Sequence, residues 1–494
     1  MLRSKYVGHI REVLAARPDE TAIDFDGTLF TWREAGAVAA AADRLLSELG
    51  VPEFGRVGLI GRSRPTHFAM LWGIFAAGRC TCMVHAFQPS ASLADDVARH
   101  RWPVLFGEAR DWTPEVVAAA EAAGTVGYAL TDDVFSPFKR VTLREAPATE
   151  LLVPPGDDTI IQLLSSGTTG KPKPVYLSLR SIDELIERTR AQFGYAGSGM
   201  RAPQIVPWPL SSLGGTNAAL PAVTLGQLVV IQEKFDAPRF LEQIRKYRPS
   251  FLSMPPAAMA MLLQLKPARK DLACVKLYFN GAAPLDPNVR TVLEEEYGLQ
   301  VANAYGATEF AGIISSWVPE DLAFLKAKRG SCGRALPGIS LRIVSQDAGT
   351  VLPSGKVGLI EAHVPRVSDD WVRTNDFAYL DEDGFLFLEG RADDAIMRGG
   401  FKVIPEEVAE VLRTHPKVGD AALIGIPDAR LGMIPAAAIE KRLEGEAPTA
   451  EELDAFLRER LAPYKLPVRY AIVAEIPRTP SMKPRREGLR ALFS

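Results

Sequence analysis

Short β-branched runs alternate with helical patterns along most of this chain, and this alternation limits the possible folds more than any other feature of the sequence. Apolar runs at residues 56–61, 103–107 and 227–231 are separated by segments with helical spacing, such as 240–247. Strands that alternate with helices are typical of α/β layers built on largely parallel sheets. At 494 residues the chain is too long for one core, so we expect two or three domains.

The character of the sequence changes from about residue 330 onward. Gly, Pro and Asp become frequent there, and short alternating runs such as 340–344 predict a small antiparallel β unit. The tail that follows has helical patterns and apolar runs of its own. We therefore predict a large N-terminal domain over residues 1–392, with layered, mostly parallel sheets, helices and the β unit, and a small α+β C-terminal domain over residues 393–494.

Composition and charge exclude several classes of protein. A net charge of −3 provides no basic field that would hold nucleic acid or an anionic membrane surface. The longest apolar stretch near the N-terminus, residues 68–78, is about half as long as a membrane-spanning helix. The cysteines lack the paired spacing of a zinc site, so we expect buried thiols in a reducing cytoplasm and no metal site built from them. They are Cys80, Cys82, Cys274 and Cys332.

The most informative segment is residues 160–175, IIQLLSSGTTGKPKPV, where an apolar strand pattern runs into a loop rich in Gly, Ser, Thr and Lys. Two glycines allow the backbone to come close to a ligand, so that N–H groups converge on phosphate oxygens while hydroxyls and lysines add donors and charge. The loop is not a Walker loop, because only two residues separate its glycines and Pro172 follows Lys171. The candidate phosphate-binding residues are Ser165, Ser166, Gly167, Thr168, Thr169, Gly170 and Lys173.

This loop resembles the signature of the adenylate-forming superfamily, which includes acyl- and aryl-CoA synthetases, luciferases and the adenylation domains of peptide synthetases. Asn375 and Met482 stand where the family usually has glycine. The resemblance covers essentially the whole chain, because further motifs follow in the family's order. They are NGAAPL at 280–285, NAYGATE at 303–309, WVRTND at 371–376, GRADD at 390–394 and PRTPSMK at 477–483.

The resemblance implies ATP and Mg²⁺ as cofactors and assigns residues to them. Tyr305 is expected to pack on adenine, Asp376 to accept the ribose hydroxyls, and Arg391 to reach the ribose or a phosphate. Thr308 is expected at the α-phosphate, and Glu309 as the ligand of Mg²⁺. The nucleotide-binding set is completed by Gly281, Ala282, Ala283, Asn303 and Gly306.

Catalysis is assigned by the same resemblance to Lys483, together with Thr308 and Glu309. In adenylation a carboxylate attacks the α-phosphorus of ATP, and because both partners are anions the site must supply positive charge. Lys483 is expected to supply this charge from a mobile C-terminal domain, which rotates about a hinge at Asp393 between the two half-reactions.

The acyl pocket is expected near residues 208–215, WPLSSLGG. Many relatives carry a histidine or an aromatic residue between the proline and the glycine, whereas serines stand here and none of the six histidines lies in the segment. The smaller side chains favour a bulky, aromatic or heteroaromatic acid; the alternative is that the serines only pack on a strand. Arg201 is a candidate for binding a second carboxylate. The predicted pocket residues are Trp208, Pro209, Leu210, Ser211, Gly281 and Ala307.

Two acceptors of the acyl group are compatible with these motifs. We expect transfer to an amine, as in the stand-alone amide bond synthetases of this family, because Asn375, Met397 and Met482 are departures of a divergent biosynthetic member. Transfer to the thiol of CoA is the alternative, because residues 399–400 are the glycine pair that CoA ligases carry. A nucleotide sensor would have no reason to keep Lys483, and a P-loop kinase or ATPase is disfavoured by the missing Walker spacing.

Overall fold

The chain divides into two compact units, residues 1–253 with 307–312, and residues 254–306 with 313–494. The computed structural model describes residues 5–156, 158–164, 174–195, 202–281, 283, 285–307, 310, 312–391, 396–398, 401–428, 430–442, 445–479 and 482–494. The predicted domain boundary at residues 392–393 lies outside these ranges, so the division into residues 1–392 and 393–494 stays a prediction.

The described strands are β1 (Thr21–Phe25), β2 (Thr28–Thr31), β3 (Arg56–Gly61), β4 (Cys80–His85), β5 (Val104–Glu108), β6 (Val126–Leu130), β7 (Phe138–Arg140), β8 (Thr159–Leu164), β9 (Pro174–Ser178), β10 (Gln204–Val206), β11 (Val229–Ile231), β12 (Phe251–Met254), β13 (Leu277–Asn280), β14 (Gln300–Asn303), β15 (Tyr305–Ala307), β16 (Gly312–Ser316), β17 (Arg334–Ala335), β18 (Ser340–Val344), β19 (Gly358–His363), β20 (Trp371–Leu380), β21 (Leu386–Arg391), β22 (Ile396–Arg398), β23 (Phe401–Val403), β24 (Val418–Asp428), β25 (Gly432–Lys441) and β26 (Arg469–Val473).

The described α-helices are α1 (Lys5–Ala16), α2 (Trp32–Glu48), α3 (Pro65–Ala76), α4 (Ser90–His100), α5 (Pro114–Ala123), α6 (Leu179–Tyr195), α7 (Leu213–Thr224), α8 (Ala237–Tyr247), α9 (Pro256–Gln264), α10 (Arg269–Leu272), α11 (Pro287–Thr291), α12 (Pro405–Arg413), α13 (Ala450–Arg458) and α14 (Arg486–Ala491).

The first unit is built around a seven-stranded sheet with the order β7-β6-β5-β3-β4-β8-β9. Strand β3 is parallel to β4 and β5, and β4 is parallel to β8, whereas the edge strands β7 and β9 are antiparallel to their neighbours. Every residue of β8 is buried, which is typical of parallel sheets covered on both faces. The predicted α/β class is thus confirmed.

The apolar stretch at residues 68–78 forms most of helix α3, and the residues of this helix from His67 to Ala76 are buried. Pro65 at the first turn is compatible with the helix because that position needs no intrahelical N–H donor. The indole of Trp72 stacks on Trp32 of α2 with 5.7 Å between ring centroids. The stretch therefore belongs to the protein core. Among the described residues, no helix combines the length and the apolar composition that crossing a bilayer requires.

The second unit contains two antiparallel assemblies. Strands β18, β19, β20 and β21 form a four-stranded sheet, and β18 is the alternating run from which the sequence predicts a β unit. A further sheet has the order β23-β22-β25-β24, with β26 parallel to β25. Its core includes Val408 and Leu412 of α12 and Leu453 and Leu457 of α13.

All four cysteines are free thiols, and three of them are buried: Cys80, Cys82 and Cys332. A hydrogen bond with Cys82 and burial raise the pKa of Cys80 well above its usual value. Burial raises the pKa of Cys332 to about 12. The thiols of Cys80 and Cys332 are therefore protonated at neutral pH and poorly nucleophilic, as expected for structural cysteines.

Candidate active site

Several predicted site residues lie outside the described part of the chain, so their roles stay predictions. They are Ser165, Ser166, Gly167, Thr168, Thr169, Gly170 and Lys173 of the phosphate loop, together with Arg201, Ala282, Thr308, Glu309 and Asp393. Arg391 ends strand β21, but only its backbone is described. The remaining predicted residues can be placed within one unit or the other.

The phosphate loop is predicted between two strands that the structure does describe. Strand β8 ends at Leu164 and β9 begins at Pro174, and these two residues are partners across the antiparallel pair. The chain thus leaves β8 at its carboxyl end and enters β9 at the same end of the strand pair. Strand β4 is parallel to β8, so its carboxyl end lies on the same side of the sheet. Open α/β sheets usually bind ligands at the carboxyl ends of their strands.

The NGAAPL and NAYGATE motifs begin at the ends of the parallel neighbours β13 and β14 in the second unit. Asn280 and Asn303 are register partners, and the Asn280 side-chain amide donates to Asn303 Oδ1 at 3.1 Å and to the Ala283 carbonyl at 3.2 Å. A Cβ on Gly281 would meet no heavy atom of the described residues within 4 Å. A hydrogen bond therefore connects the two segments that are predicted to bind nucleotide. The space beside Gly281 is open.

Tyr305 and Asp376, which are 71 residues apart in sequence, are in direct contact. The Tyr305 hydroxyl donates to Asp376 Oδ2 at 2.5 Å, and the backbone N–H of Asp376 donates to Thr374 Oγ1 at 3.1 Å. Arg391 is the register partner of Asp376 across β20 and β21. The residues predicted for adenine and ribose thus converge within the second unit. Gly306 and Ala307 follow Tyr305 in β15.

The predicted acyl segment begins with a buried tryptophan in the first unit. The Trp208 indole N–H donates to the Ser253 carbonyl at 3.0 Å, and Leu210 and Ser211 are buried beside it. Ser212 has a structural role: its hydroxyl accepts from the Gly215 N–H at 3.1 Å and donates to the Pro209 carbonyl at 2.7 Å. It is the N-cap of α7, so it caps a helix rather than packing on a strand.

His85 is a candidate site residue that the sequence analysis missed. It is the last residue of β4, and its Nδ1 lies 3.1 Å from the Ser211 hydroxyl. Burial lowers the pKa of His85 below its usual value, against the opposing effect of Asp96, so the imidazole is neutral at pH 7. The imidazole that is missing from residues 208–215 is thus brought there by another strand. The feature of the sequence that could have identified His85 is its position at the end of an apolar strand pattern.

The turn that carries Lys483 is closed by its own backbone. Thr479 N–H donates to the Lys483 carbonyl at 2.7 Å, Met482 N–H donates to the Thr479 carbonyl at 2.8 Å, and Lys483 N–H donates to Thr479 Oγ1 at 3.2 Å. Met482 has a φ of +64°, in the left-handed region that favours glycine. The substitution of glycine by methionine therefore leaves the turn geometry in place.

Comparison with known proteins identifies the family of the chain. A family model described as AMP-binding enzyme matches residues 10–368, and one described as AMP-binding enzyme C-terminal domain matches residues 407–483. The chain belongs to the adenylate-forming superfamily. It is an ATP-dependent, AMP-forming acid ligase, and both the predicted family and the predicted enzyme class are confirmed.

The similar proteins include CoA ligase-like proteins and an amide bond synthetase. The 4-coumarate–CoA ligase-like 2 protein of Arabidopsis thaliana is 32% identical to this chain. The aligned residues are 68% of this chain and 62% of that protein. The 4-coumarate–CoA ligase-like 4 protein of Oryza sativa subsp. japonica is 29% identical over 93% of this chain and 86% of its own. The solved structure of a lysine variant of the amide bond synthetase Mcba from Marinactinospora thermotolerans is 25% identical, with a TM-score of 0.76 over 100% of both chains.

Proposed function

We propose that the enzyme adenylates an aromatic or heteroaromatic carboxylic acid and then transfers the acyl group to an amine, which yields an amide and AMP. The proposal for the acid is supported by the small Ser211 side chain and the flat Trp208 ring in the predicted acyl segment, and by the open space at Gly281. The proposal for the amine is supported by the end-to-end similarity to the amide bond synthetase Mcba.

The contact that carries the nucleotide part of the proposal is the hydrogen bond from Tyr305 to Asp376. It orients a carboxylate beside an aromatic side chain, and these groups suit a ribose and a purine ring respectively. We propose that ATP binds there, with the phosphate loop at its β- and γ-phosphates and Mg²⁺ on Glu309. Lys483 then supplies the positive charge between the incoming carboxylate and the α-phosphate.

In the first half-reaction a carboxylate oxygen attacks the α-phosphorus, the bond from that phosphorus to the bridging oxygen breaks, and pyrophosphate leaves. In the second, the amine nitrogen attacks the carbonyl carbon of the acyl-adenylate, the carbon–oxygen bond to AMP breaks, and the nitrogen loses a proton. We propose that the neutral pair of His85 and Ser211 forms a polar wall of the acyl pocket, where it binds a heteroatom of the acid.

Transfer to CoA is the second candidate function. It is favoured by similarity to plant 4-coumarate–CoA ligases and by the glycine pair at residues 399–400. Both functions share the same first half-reaction, so the acceptor must be tested directly.

The test is a product assay with Mg-ATP, a panel of aryl, heteroaryl and fatty acids, and either CoA or a simple primary amine. Mass spectrometry would identify all products. AMP and an amide formed without CoA are the expected result. AMP with an acyl-CoA and no amide would replace the amine by CoA as the acceptor, and absence of AMP with every acid would contradict the proposed substrate class.

A further inference from the structure

The turn that carries Lys483 is attached to the sheet behind it by the guanidinium of Arg478. Arg478 Nη1 donates to the Met482 carbonyl, next to Lys483, at 3.2 Å. Arg478 Nη2 donates to Asp420 Oδ2 on β24 and lies 3.8 Å from Glu440 Oε2 on β25. Only 12% of the Arg478 side chain is exposed. One buried arginine thus joins the lysine turn to two strands.

Asp420 is itself held from a second side. Its Oδ1 accepts from Arg413 Nε at 2.8 Å and from the Ala421 N–H at 2.7 Å. Burial raises the pKa of Asp420, but Arg413 and Arg478 outweigh burial and hold the pKa below its usual value. Asp420 is therefore ionised at neutral pH and paired with both arginines. We call Arg413, Asp420 and Arg478 the arginine brace.

Arg413 connects the brace to helix α12 and to Asp286, a residue from before the predicted hinge. Arg413 ends α12, and its Nη1 donates to Glu406 Oε1 at 2.5 Å. Arg413 Nε lies 3.8 Å from Asp286 Oδ2 within the same unit. The Arg413 end of the brace is thus fixed by charged groups from a helix, a strand and a loop, and a side-chain movement there would require several ion pairs to rearrange.

Internal and external bonds of the turn have different effects. The backbone bonds between Thr479 and Lys483 fix the shape of the turn, but they do not fix how the turn is oriented on the sheet. The bond from Arg478 to the Met482 carbonyl is a side-chain contact that ties the turn to Asp420. Met482 in the left-handed region makes the turn strained, so external support matters more than it would with glycine.

We propose that Arg478, anchored by Asp420, is a positioning residue that aims Lys483 during adenylation. This inference rests on the proposed role of Lys483. Since Lys483 is expected to act only in the first half-reaction, loss of the brace should slow adenylation and leave acyl transfer unchanged. A general structural role would lower both rates.

The test uses the full-length enzyme with Arg478→Lys, which retains the charge but cannot bond both partners in the same planar geometry. Adenylation is measured as acid-dependent pyrophosphate release, and transfer as amide or thioester formed from chemically synthesised acyl-adenylate. We expect kcat for adenylation to fall on the order of 10- to 100-fold, because small misplacements of catalytic groups have effects of this size. KM for ATP and the transfer rate should change by less than about 2-fold.

Arg469→Lys is the matched control, because Arg469 lies on β26 of the same sheet and also donates to a backbone carbonyl, that of Phe493, at 3.1 Å. It should leave both half-reactions unchanged. Asp420→Asn is a second variant, in which a smaller loss confined to adenylation is expected. Urea unfolding of each variant checks that the fold is intact.

Three outcomes would overturn the proposal. If Lys483→Ala abolishes pyrophosphate release while Arg478→Lys and Asp420→Asn release it normally, the lysine role stands and the brace has no positioning function. If Arg478→Lys lowers adenylation and transfer equally, its role is structural. Normal pyrophosphate release by Lys483→Ala would instead refute the role of Lys483, and the positioning proposal would fail with it.

Discussion

Polar side chains are buried both near the end of β3 in the first unit and around Arg478 in the second, but the first region combines a neutral histidine with a buried ion pair. In the first region His67 of α3 is neutral and buried near the ion pair of Arg62 and Asp111. In the arginine brace the groups are ionised and compensate one another. A neutral polar group needs only one hydrogen bond to be tolerated, whereas a buried charge needs a partner of opposite sign. The two regions should therefore fail under different conditions.

Lys483→Ala should have the largest effect of all these substitutions. We expect acid-dependent pyrophosphate release to fall by on the order of 100-fold or more, because a preorganised charge at the transition state is lost. ATP binding, measured by calorimetry, should be retained. Lys417→Ala is the control, since Lys417 forms an exposed ion pair with Glu452 in the C-terminal region. Near-normal release by the Lys483 variant would contradict the assignment.

Mild acid should destabilise the first unit through His67 before it affects the brace. Burial, with Arg62 and Arg64 nearby, lowers the pKa of His67 from its usual 6.5 to about 3. Between these values the unfolded chain binds more protons at this site than the folded one. Stability therefore falls as pH drops below 6.5, by about 1.4 kcal/mol per pH unit from His67, and is unaffected by this residue above 6.5.

His67→Gln should reduce this slope, as measured by urea unfolding at pH 7, 6 and 5. His9→Gln, whose side chain is 43% exposed, should keep the parental slope. The Asp420 pKa lies below its usual value of 3.8, so the brace should remain ionised throughout this range. An unchanged slope for His67→Gln would show that this histidine is not the acid-sensitive group.

The pair of His85 and Ser211 should affect the choice of acid rather than ATP binding. For His85→Leu we expect KM for a heteroaromatic acid to rise about 5-fold, because one neutral hydrogen bond contributes about 1 kcal/mol, with KM for ATP unchanged. A plain aromatic acid is the internal control. Ser211→Ala should give a similar change, and the double variant should be no worse than either one, because the two side chains act as a unit. Additive effects would argue against the pair.

The smallest expected effect is that of Met482→Gly. Relief of the left-handed backbone should stabilise the folded state by no more than about 1 kcal/mol, because the greater freedom of glycine in the unfolded chain offsets part of the gain. Met482→Ala is the matched control, since it removes the same side chain but keeps the strain. Urea midpoints of the two variants give the comparison, and a Gly variant no more stable than the Ala variant would contradict the strain argument.

The sequence alone predicts those features that depend on local pattern. The alternation of strands and helices indicates the α/β class, whereas the role of Ser212 as the N-cap of α7 was found only in the structure. Contacts between distant segments are different in kind. The hydrogen bond between Tyr305 and Asp376 joins two motifs whose shared role is expected only through family resemblance.

His85 shows where such prediction ends. It is 126 residues from Ser211, and the two meet because the segment between β10 and α7 packs against the end of β4, a strand of another sheet. The same holds for the brace, in which Arg413, Asp420 and Arg478 lie on a helix, a strand and a loop. Unless the three-dimensional arrangement of the strands is known, nothing distinguishes these residues from other polar residues of the sequence.

The burial of Cys80, Cys82 and Cys332 has a practical consequence for fluorescence work. Maleimide dyes react with accessible thiolates, so the native chain should take up label mainly at the partly exposed Cys274. A Cys274→Ser background would then accept dyes at cysteines placed by design, one in each predicted domain. Energy transfer between such dyes would report, in single molecules and in real time, whether the C-terminal domain turns about Asp393 when ATP and acid are added.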